Sequence, residues 1–383
     1  MKIVHFCPQC FIDNSTYQEK LLSKYQKKIG YDVEVITSTQ GQGNGKIIDV
    51  NEQKTYLNDD GVKIIRLKYK GIKPFAKKFC HFENFYDTLV QSKPDILFIH
   101  GLSSIDLITV SRYLEDNPKI KVFVDNHVDF INSAKNILSR EILHKRLWRY
   151  NAKILEPYVK KFYGVLPARV NFLTDVYKVP KEKTELLVLG VDDDLLEEVE
   201  ASGTRDRIRK KLNIPEKSTL IVSGGKTDHN RPEIIQLMQA VNELHRDDIQ
   251  LLVFGNYTDE YKESFESLAV SPFIHNAGWV NSKEIYEFFQ AGDLIAFPGI
   301  HSVLWEQAVG SGKACVFRRM KGFDHVDLGG NCEFFDGLSS EKIMTKLLDI
   351  IDSGKLPEMT KAAVEKGRKY FSYREIAKRS IEA

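Results

Sequence analysis

The segment Ser223-Gly224-Gly225-Lys226, followed by Asp228-His229-Asn230-Arg231, joins a strand-like apolar run to a helix-like one. Paired glycines let a ligand approach the backbone closely, and the free amides of a following helix attract anions. Lys226 and Arg231 add two cations, which is the complement of a diphosphate. The segment lacks the spacing and the Lys-Ser/Thr end of a Walker loop. By itself it reads equally well as a glycine turn with solvated charges.

A second loop, Phe297-Pro298-Gly299-Ile300-His301-Ser302, leads into Val303-Leu304-Trp305-Glu306-Gln307-Ala308. A Pro-Gly turn ends a strand, and Ser302 is placed to cap a helix whose amides face an anion. Glu306, one turn in, is a carboxylate able to accept from two vicinal ribose hydroxyls. It is equally an ordinary first-turn Glu favoured by the helix dipole. Gly278-Trp279-Val280 lies between a short strand and a helix, where backbone groups can read a base edge. Asp125-Asn126-His127 closes a strand, and a neutral imidazole there can bond a sugar hydroxyl. A lone histidine is more often structural.

These loops need strands to present them. In the first half the strand-like runs are Lys2–Cys7, Asp32–Thr37, Val62–Tyr69, Asp95–His100, Lys121–Asn126 and Phe162–Leu166. Helix-like runs separate them at Tyr17–Lys28, Ser104–Leu114, Ser133–Trp148 and Asn151–Lys160. Val62–Tyr69 alternates apolar and basic residues, which predicts one solvated face. After Glu185–Leu189 comes an acidic stretch, Asp193–Asp206, read as a linker. The pattern then restarts with Leu220–Ser223, Gln250–Phe254, Phe273–His275, Leu294–Phe297 and Ala314–Phe317, and ends in a long helical run, Met359–Ile381. Short strands alternating with helices imply parallel βαβ units. Ligands then bind at the carboxyl ends of the strands, and two such domains enclose a cleft between them.

The chain has 383 residues, 42% hydrophobic and 28% charged, with a formal net charge of +2. That length favours two cores, and the even charge gives no case for nucleic acid. No apolar run reaches the roughly 18–20 residues of a membrane span. With no signal peptide ahead of Lys2, a cytoplasmic location is expected. The five cysteines are an odd, sparse set, which argues against a disulfide framework. Cys7 and Cys10 form a CxxC with no second ligand pair at zinc spacing, so two small residues at a strand end is the favoured reading.

Taken together, the motifs resemble the family 4 glycosyltransferases, retaining enzymes of the GT-B fold. The resemblance rests on Gly225-Lys226, Arg231, Gly278-Trp279-Val280 and Glu306-Gln307-Ala308-Val309-Gly310-Ser311-Gly312. Gly190-Val191-Asp192 is similar to the family's entry into its second domain, and Phe371-Ser372-Tyr373 to the start of its tail helix. Counting back along the family's Glu-x7-Glu pattern from Glu306, the first Glu falls on Pro298.

The resemblance implies two Rossmann-like, doubly wound parallel-sheet domains facing a central cleft. These would span 1–190 on the acceptor side and 191–358 for the nucleotide-sugar, with residues 359–383 as a helix crossing back. It implies transfer of a sugar from a nucleotide-diphospho-sugar, such as a UDP-sugar, with retention, in cell-surface glycan biosynthesis. A non-catalytic nucleotide-sugar-binding subunit is the alternative, and an epimerase or phosphorylase of the same fold ranks third. The implied catalytic residues are His127 and His301. Gly225, Lys226, Arg231, Trp279, Val280, Ser302 and Glu306 would bind the nucleotide diphosphate, and Thr16 and Tyr17 would sit in a donor or acceptor loop. Neither metal nor cofactor is expected, because Lys226, Arg231 and helix dipoles can neutralise the leaving group. Asp192-Asp193-Asp194 is read as solvated. The expected partners are the donor and a glycan or lipid-linked acceptor. The basic, aromatic stretches Lys68–Phe79 and His144–Arg149 offer peripheral contact with an anionic membrane at the inner face.

Overall fold

A computed structural model describes residues 1–13, 15–43, 46–49, 52–134, 136–137, 139–229 and 232–382. Internal contacts divide the chain into two compact units. The first comprises Met1–Val188 with Ile376–Ala383, and the second Leu189–Glu375.

The first unit contains β1 (Lys2–Cys7), β2 (Asp32–Ser38), β3 (Gln40–Gly43), β4 (Lys46–Asp49), β5 (Lys54–Leu57), β6 (Lys63–Leu67), β7 (Ile96–His100), β8 (Lys121–Asn126), β9 (Val159–Gly164) and β10 (Thr184–Leu186). Eight of them form one sheet in the order β10-β9-β8-β7-β1-β2-β6-β5, and β3 pairs with β4 apart from it. The large sheet is parallel except for β5, which runs antiparallel to β6 at the edge. The chain lays strands outward from β1 on one side, then returns to place β7 on its other side. The loops after β1 and β7 therefore diverge, which opens a crevice at the carboxyl ends of those strands.

The second unit contains β11 (Thr219–Gly224), β12 (Ile249–Phe254), β13 (Ile274–Asn276), β14 (Leu294–Phe297), β15 (Ala314–Arg318) and β16 (Cys332–Phe335). They form a wholly parallel sheet, order β13-β12-β11-β14-β15-β16. Its switch point lies between β11 and β14. Parallel strands are covered on both faces and so read as continuous apolar runs, which is why Leu294–Phe297 is buried at every position.

Several local readings need correction. The stretch expected as a linker is helical, Asp193–Ala201 followed by Thr204–Lys211. Leu196 and Val199, three apart, bury one face with Val191 and Tyr286. Asp193 and Asp194 open that helix and are tied to Arg374, through its backbone N–H at 3.0 Å and its guanidinium at 3.2 Å respectively. Arg66, expected on a solvated strand face, is buried. It donates to the carbonyls of Phe11, Ser38 and Gln40 and to the Asp13 carboxylate, beneath the edge strand β5. Within the run Ser133–Trp148, residues Ser139–Trp148 form a helix whose turns are π-type.

The run Met359–Ile381 is not one helix. It breaks at Phe371–Ser372, where the Val191 N–H donates to the Phe371 carbonyl at 2.8 Å. Residues up to Glu375 pack with the second unit, and only Ile376–Ala383 with the first. Among the described residues no helix is long and apolar enough to cross a membrane.

Candidate functional site

In the second unit, three glycines sit at the carboxyl ends of adjacent strands β11, β12 and β13. Gly225, Gly255 and Gly278 have φ of 120°, 116° and 66°, a region that disfavours any side chain. Gly225 N–H donates to the Phe254 carbonyl at 2.9 Å, and Gly255 N–H to the Gly278 carbonyl at 2.7 Å. The sheet's hydrogen bonding thus continues into the turns and forms a rigid shelf. Lys226 stands on it, exposed, with its ammonium 3.2 Å from Asp228. Trp279 is 61% exposed, whereas Val280 is buried. The next helix, Ser282–Ala291, starts with a capping box in which Asn281 and Glu284 satisfy each other's backbone N–H groups. Arg231 lies outside the described residues.

The loop after β14 departs from expectation. Ser302 does not cap the helix. The helix runs Leu304–Gly310 with Val303 at its N-cap, and Ser302 only accepts from Trp305 N–H at 3.0 Å through its carbonyl. His301 turns inward rather than toward a ligand, with its side chain 6% exposed among Trp305, Phe323 and His325. Glu306 is completely buried. Its Oε1 accepts from His301 Nε2 at 2.9 Å and from His325 Nε2 at 2.8 Å. Burial alone would raise this carboxyl, but the two imidazoles reverse the effect and lower it to about 2. In this conformation Glu306 holds two histidines and does not face a ribose. The crevice between this loop and Ser223-Gly224 measures about 10 Å³, room for a single water.

In the first unit, a cavity of about 320 Å³ opens at the crevice beyond β1 and β7. Cys7–Cys10 after β1, His100–Ser103 after β7 and His127 after β8 line it, with Glu19 from the first turn of the helix Gln18–Lys28. His127 Nε2 lies 3.4 Å from Asp125 Oδ2. Burial pulls the His127 pKa down, but the Asp125 carboxylate outweighs it, so the group is raised. Tyr17, at the N-cap of the same helix as Glu19, is 57% exposed, and Thr16 precedes it. Burial pushes the Cys7 and Cys10 thiols up, so the CxxC carries no ready thiolate.

Two trios bring metal-ligating atoms within 4.8 Å of one another: Glu19, His100 and His127 in the first unit, and His301, Glu306 and His325 in the second. In the first, both His100 nitrogens are already engaged, by His5 at 2.9 Å and Asp125 at 2.6 Å. In the second, both Nε2 atoms face Glu306.

Sequence reasoning missed Glu19, His100, Gly255 and His325. His5 and His100 did leave a signal, since His100 is the one polar residue of its strand and His5 interrupts the apolar run Ile3–Cys7. The second basic stretch is only partly a surface: Arg146 is exposed, and Lys145 pairs with Glu141 at 2.8 Å. His144 and Trp148 are buried, His144 Nδ1 is 2.9 Å from Tyr177 Oη, and Arg149 donates to the Val176 carbonyl.

Residues 204–369 match the family described as Glycosyl transferases group 1. Among solved structures, the chain resembles a glycosyltransferase from Rickettsia africae ESF-5 at 15% identity, covering 99% of this chain and 96% of that one, with a TM-score of 0.72. It resembles Anabaena Alr3699/HepE in complex with UDP at 14% identity, covering 99% and 98%, with a TM-score of 0.70. It also resembles a UDP-GlcNAc 2-epimerase from Neisseria meningitidis bound to UDP-GlcNAc at 13% identity, covering 99% and 98%, with a TM-score of 0.63. At such identities the likeness is one of fold, the GT-B fold. No curated protein matches the sequence.

Proposed function

Because residues 204–369 match the family described as Glycosyl transferases group 1 and the whole chain has the GT-B fold, we propose that this protein transfers a sugar from a nucleoside-diphosphate sugar held by its second unit. The observation that carries this reading is the glycine shelf with exposed Lys226 on it. Close-approach backbone plus an exposed cation suits a diphosphate leaving group, whose developing charge must be stabilised as the glycosidic bond breaks. Arg231, by its place in the sequence, is the second cation. Trp279 offers an aromatic surface beside the shelf for the base. A UDP-sugar is the first donor to test, since one similar structure holds UDP.

In this reading transfer proceeds with retention and without a metal, His127 meets a hydroxyl of the sugar, and the reaction occurs at the cytoplasmic face of a membrane in building a surface glycan. A lipid-linked acceptor is supported by Ile72 and Phe75, 74% and 65% exposed beside exposed Lys77 and Lys78. Apolar side chains flanked by lysines suit an anionic headgroup layer.

The second reading, a non-catalytic nucleotide-sugar-binding subunit, is favoured by one observation. Pro298 stands where the family pattern has its first Glu, and both His301 and Glu306 are turned inward. A thermal-shift screen with UDP, GDP, ADP, dTDP and CMP, with and without magnesium, comes first. A ligand that binds only the folded protein raises its Tm. A shift with one diphosphate followed by turnover of its sugar supports the transferase, and the anomeric configuration of the product decides retention. A shift without turnover supports the binding subunit, and no shift sinks both readings.

A further inference from the structure

The crevice between β11 and β14 is narrow, yet its walls carry groups that an anion would use. Ser223, Gly224 and Ile234 form one wall, and residues 297–300 with Trp305 form the other. The space adjoins the glycine shelf, because Gly224 directly precedes Gly225. The Ser223 hydroxyl is wholly buried and has no hydrogen-bond partner. A hydroxyl can donate once and accept twice, and leaving it buried and unbonded costs free energy. Such a group marks a place where a polar partner arrives. At about 10 Å³ the space admits a water but no phosphate.

An ion pair ties the two walls together. Arg318 Nη1 donates to Glu233 Oε1 at 2.5 Å. Glu233 opens the helix Glu233–Leu244, next to Ile234 in the first wall. Arg318 ends β15, and the preceding Phe317 is the strand partner of Phe297. Phe317 also stacks on Trp305, with ring centroids 4.6 Å apart. The pair therefore reaches across the end of β14 and holds the second wall against the first. It is joined through one nitrogen and one oxygen, since Glu233 Oε2 is buried without a partner. A guanidinium and an anion can form two parallel bonds, so this one is incomplete. A terminal phosphate is the better partner, with more charge, more acceptor oxygens and the geometry for the two-bond fork. It would also gain from the free amides of the same helix, whose first turn now holds the Glu233 carboxylate.

We infer that Arg318 is a third cation of the diphosphate site, held by Glu233 until the ligand takes it. Glu233 is a stand-in anion. Transfer of Arg318 to a phosphate releases the clamp, widens the crevice and brings the Ser223 hydroxyl an oxygen to donate to. The inference rests on the reading of the glycine shelf as a diphosphate site.

The test is calorimetric titration of the full chain with UDP and with inorganic pyrophosphate, which has no base. Arg318→Ala should weaken both by about tenfold or more. Glu233→Gln should tighten both by about three- to tenfold, because the competing charge is gone. A purely structural ion pair would not yield that gain. Glu233→Gln binding no better than the natural chain, or folded Arg318→Ala keeping full affinity, overturns the inference. If Arg318→Ala does not fold, Arg318→Lys supplies the second arm. It keeps the charge but loses the fork, so weaker binding of pyrophosphate is expected, and unchanged binding overturns the inference. A natural chain that binds neither ligand fails the shelf reading as well. Normal binding by the natural chain with unmoved variants fails this inference alone.

Discussion

Gly255 lies against Gly225 so closely that a Cβ on Gly255 would sit 2.0 Å from the Gly225 carbonyl oxygen and 2.7 Å from its carbonyl carbon. No real Cβ tolerates that distance, and the obstacle is backbone, which cannot swing aside. Gly255→Ala should therefore push the Gly225-Lys226 turn off the sheet. A Cβ on Gly225 meets nothing within 4 Å and is opposed only by its φ of 120°. We expect Gly225→Ala to cost roughly 1–3 kcal/mol of backbone strain and Gly255→Ala more. Urea unfolding of the two variants checks the order, and equal losses would show that the contact between the turns does not matter.

Lys226 is exposed and, among the described residues, its close anion is a neighbour in the same loop, so Lys226→Ala should leave Tm unchanged. Loss of a charge-assisted bond to the diphosphate should cost roughly 1.5–3 kcal/mol, about 10- to 150-fold in affinity. Calorimetric titration with a nucleoside diphosphate and its monophosphate separates the cases. An equal loss for both ligands would remove Lys226 from the phosphate.

The Glu306 carboxyl makes folding acid-sensitive. Its pKa is lowered from 4.5 to about 2, so its contribution is complete above the unfolded value and disappears as pH falls from about 5 toward 2. That contribution is on the order of 3 kcal/mol. Glu306→Gln should lower stability at pH 7 by about 3–5 kcal/mol, because two imidazoles lose their anion. It should also flatten the acid limb. Denaturation midpoints between pH 7 and pH 3 measure both effects. A stable variant with selectively lost nucleotide affinity would instead restore Glu306 to the ribose.

Trp279→Ala should leave stability within about 0.5 kcal/mol, as exposed substitutions do. If the indole stacks on the base, affinity for the nucleotide falls by roughly 1–3 kcal/mol. Quenching of tryptophan fluorescence by nucleotide, lost in the variant, is the direct readout.

Much of the fold was legible because buried parallel strands write themselves as apolar runs. Lys2–Cys7 and Leu294–Phe297 needed no tertiary information, and the glycine turns after β11 and β13 mark themselves by composition. What escaped depended on partners distant in sequence. The linker reading of Asp193–Asp206 weighed its acidic residues over the three-residue spacing of Leu196 and Val199. Arg66 looked solvated because nothing in its own strand announces that β5 will cover it. His301 and Glu306 were legible as residues but not as a pair turned inward, because His325, which completes them, lies beyond the next strand.

Residues 376–383 return to the first unit, where Ser380 receives the Gln26 amide and the Arg379 carbonyl accepts from the Tyr163 hydroxyl at 3.3 Å. The ribosome delivers Gln26 first and Ser380 only after the whole second unit has been made. Domains usually fold in order of synthesis. Here the earlier unit is completed last, since the Gln26 amide lacks its Ser380 acceptor until the later unit has emerged. In a pulse-chase, protease resistance of the two units should arrive together, once residues 376–383 have emerged.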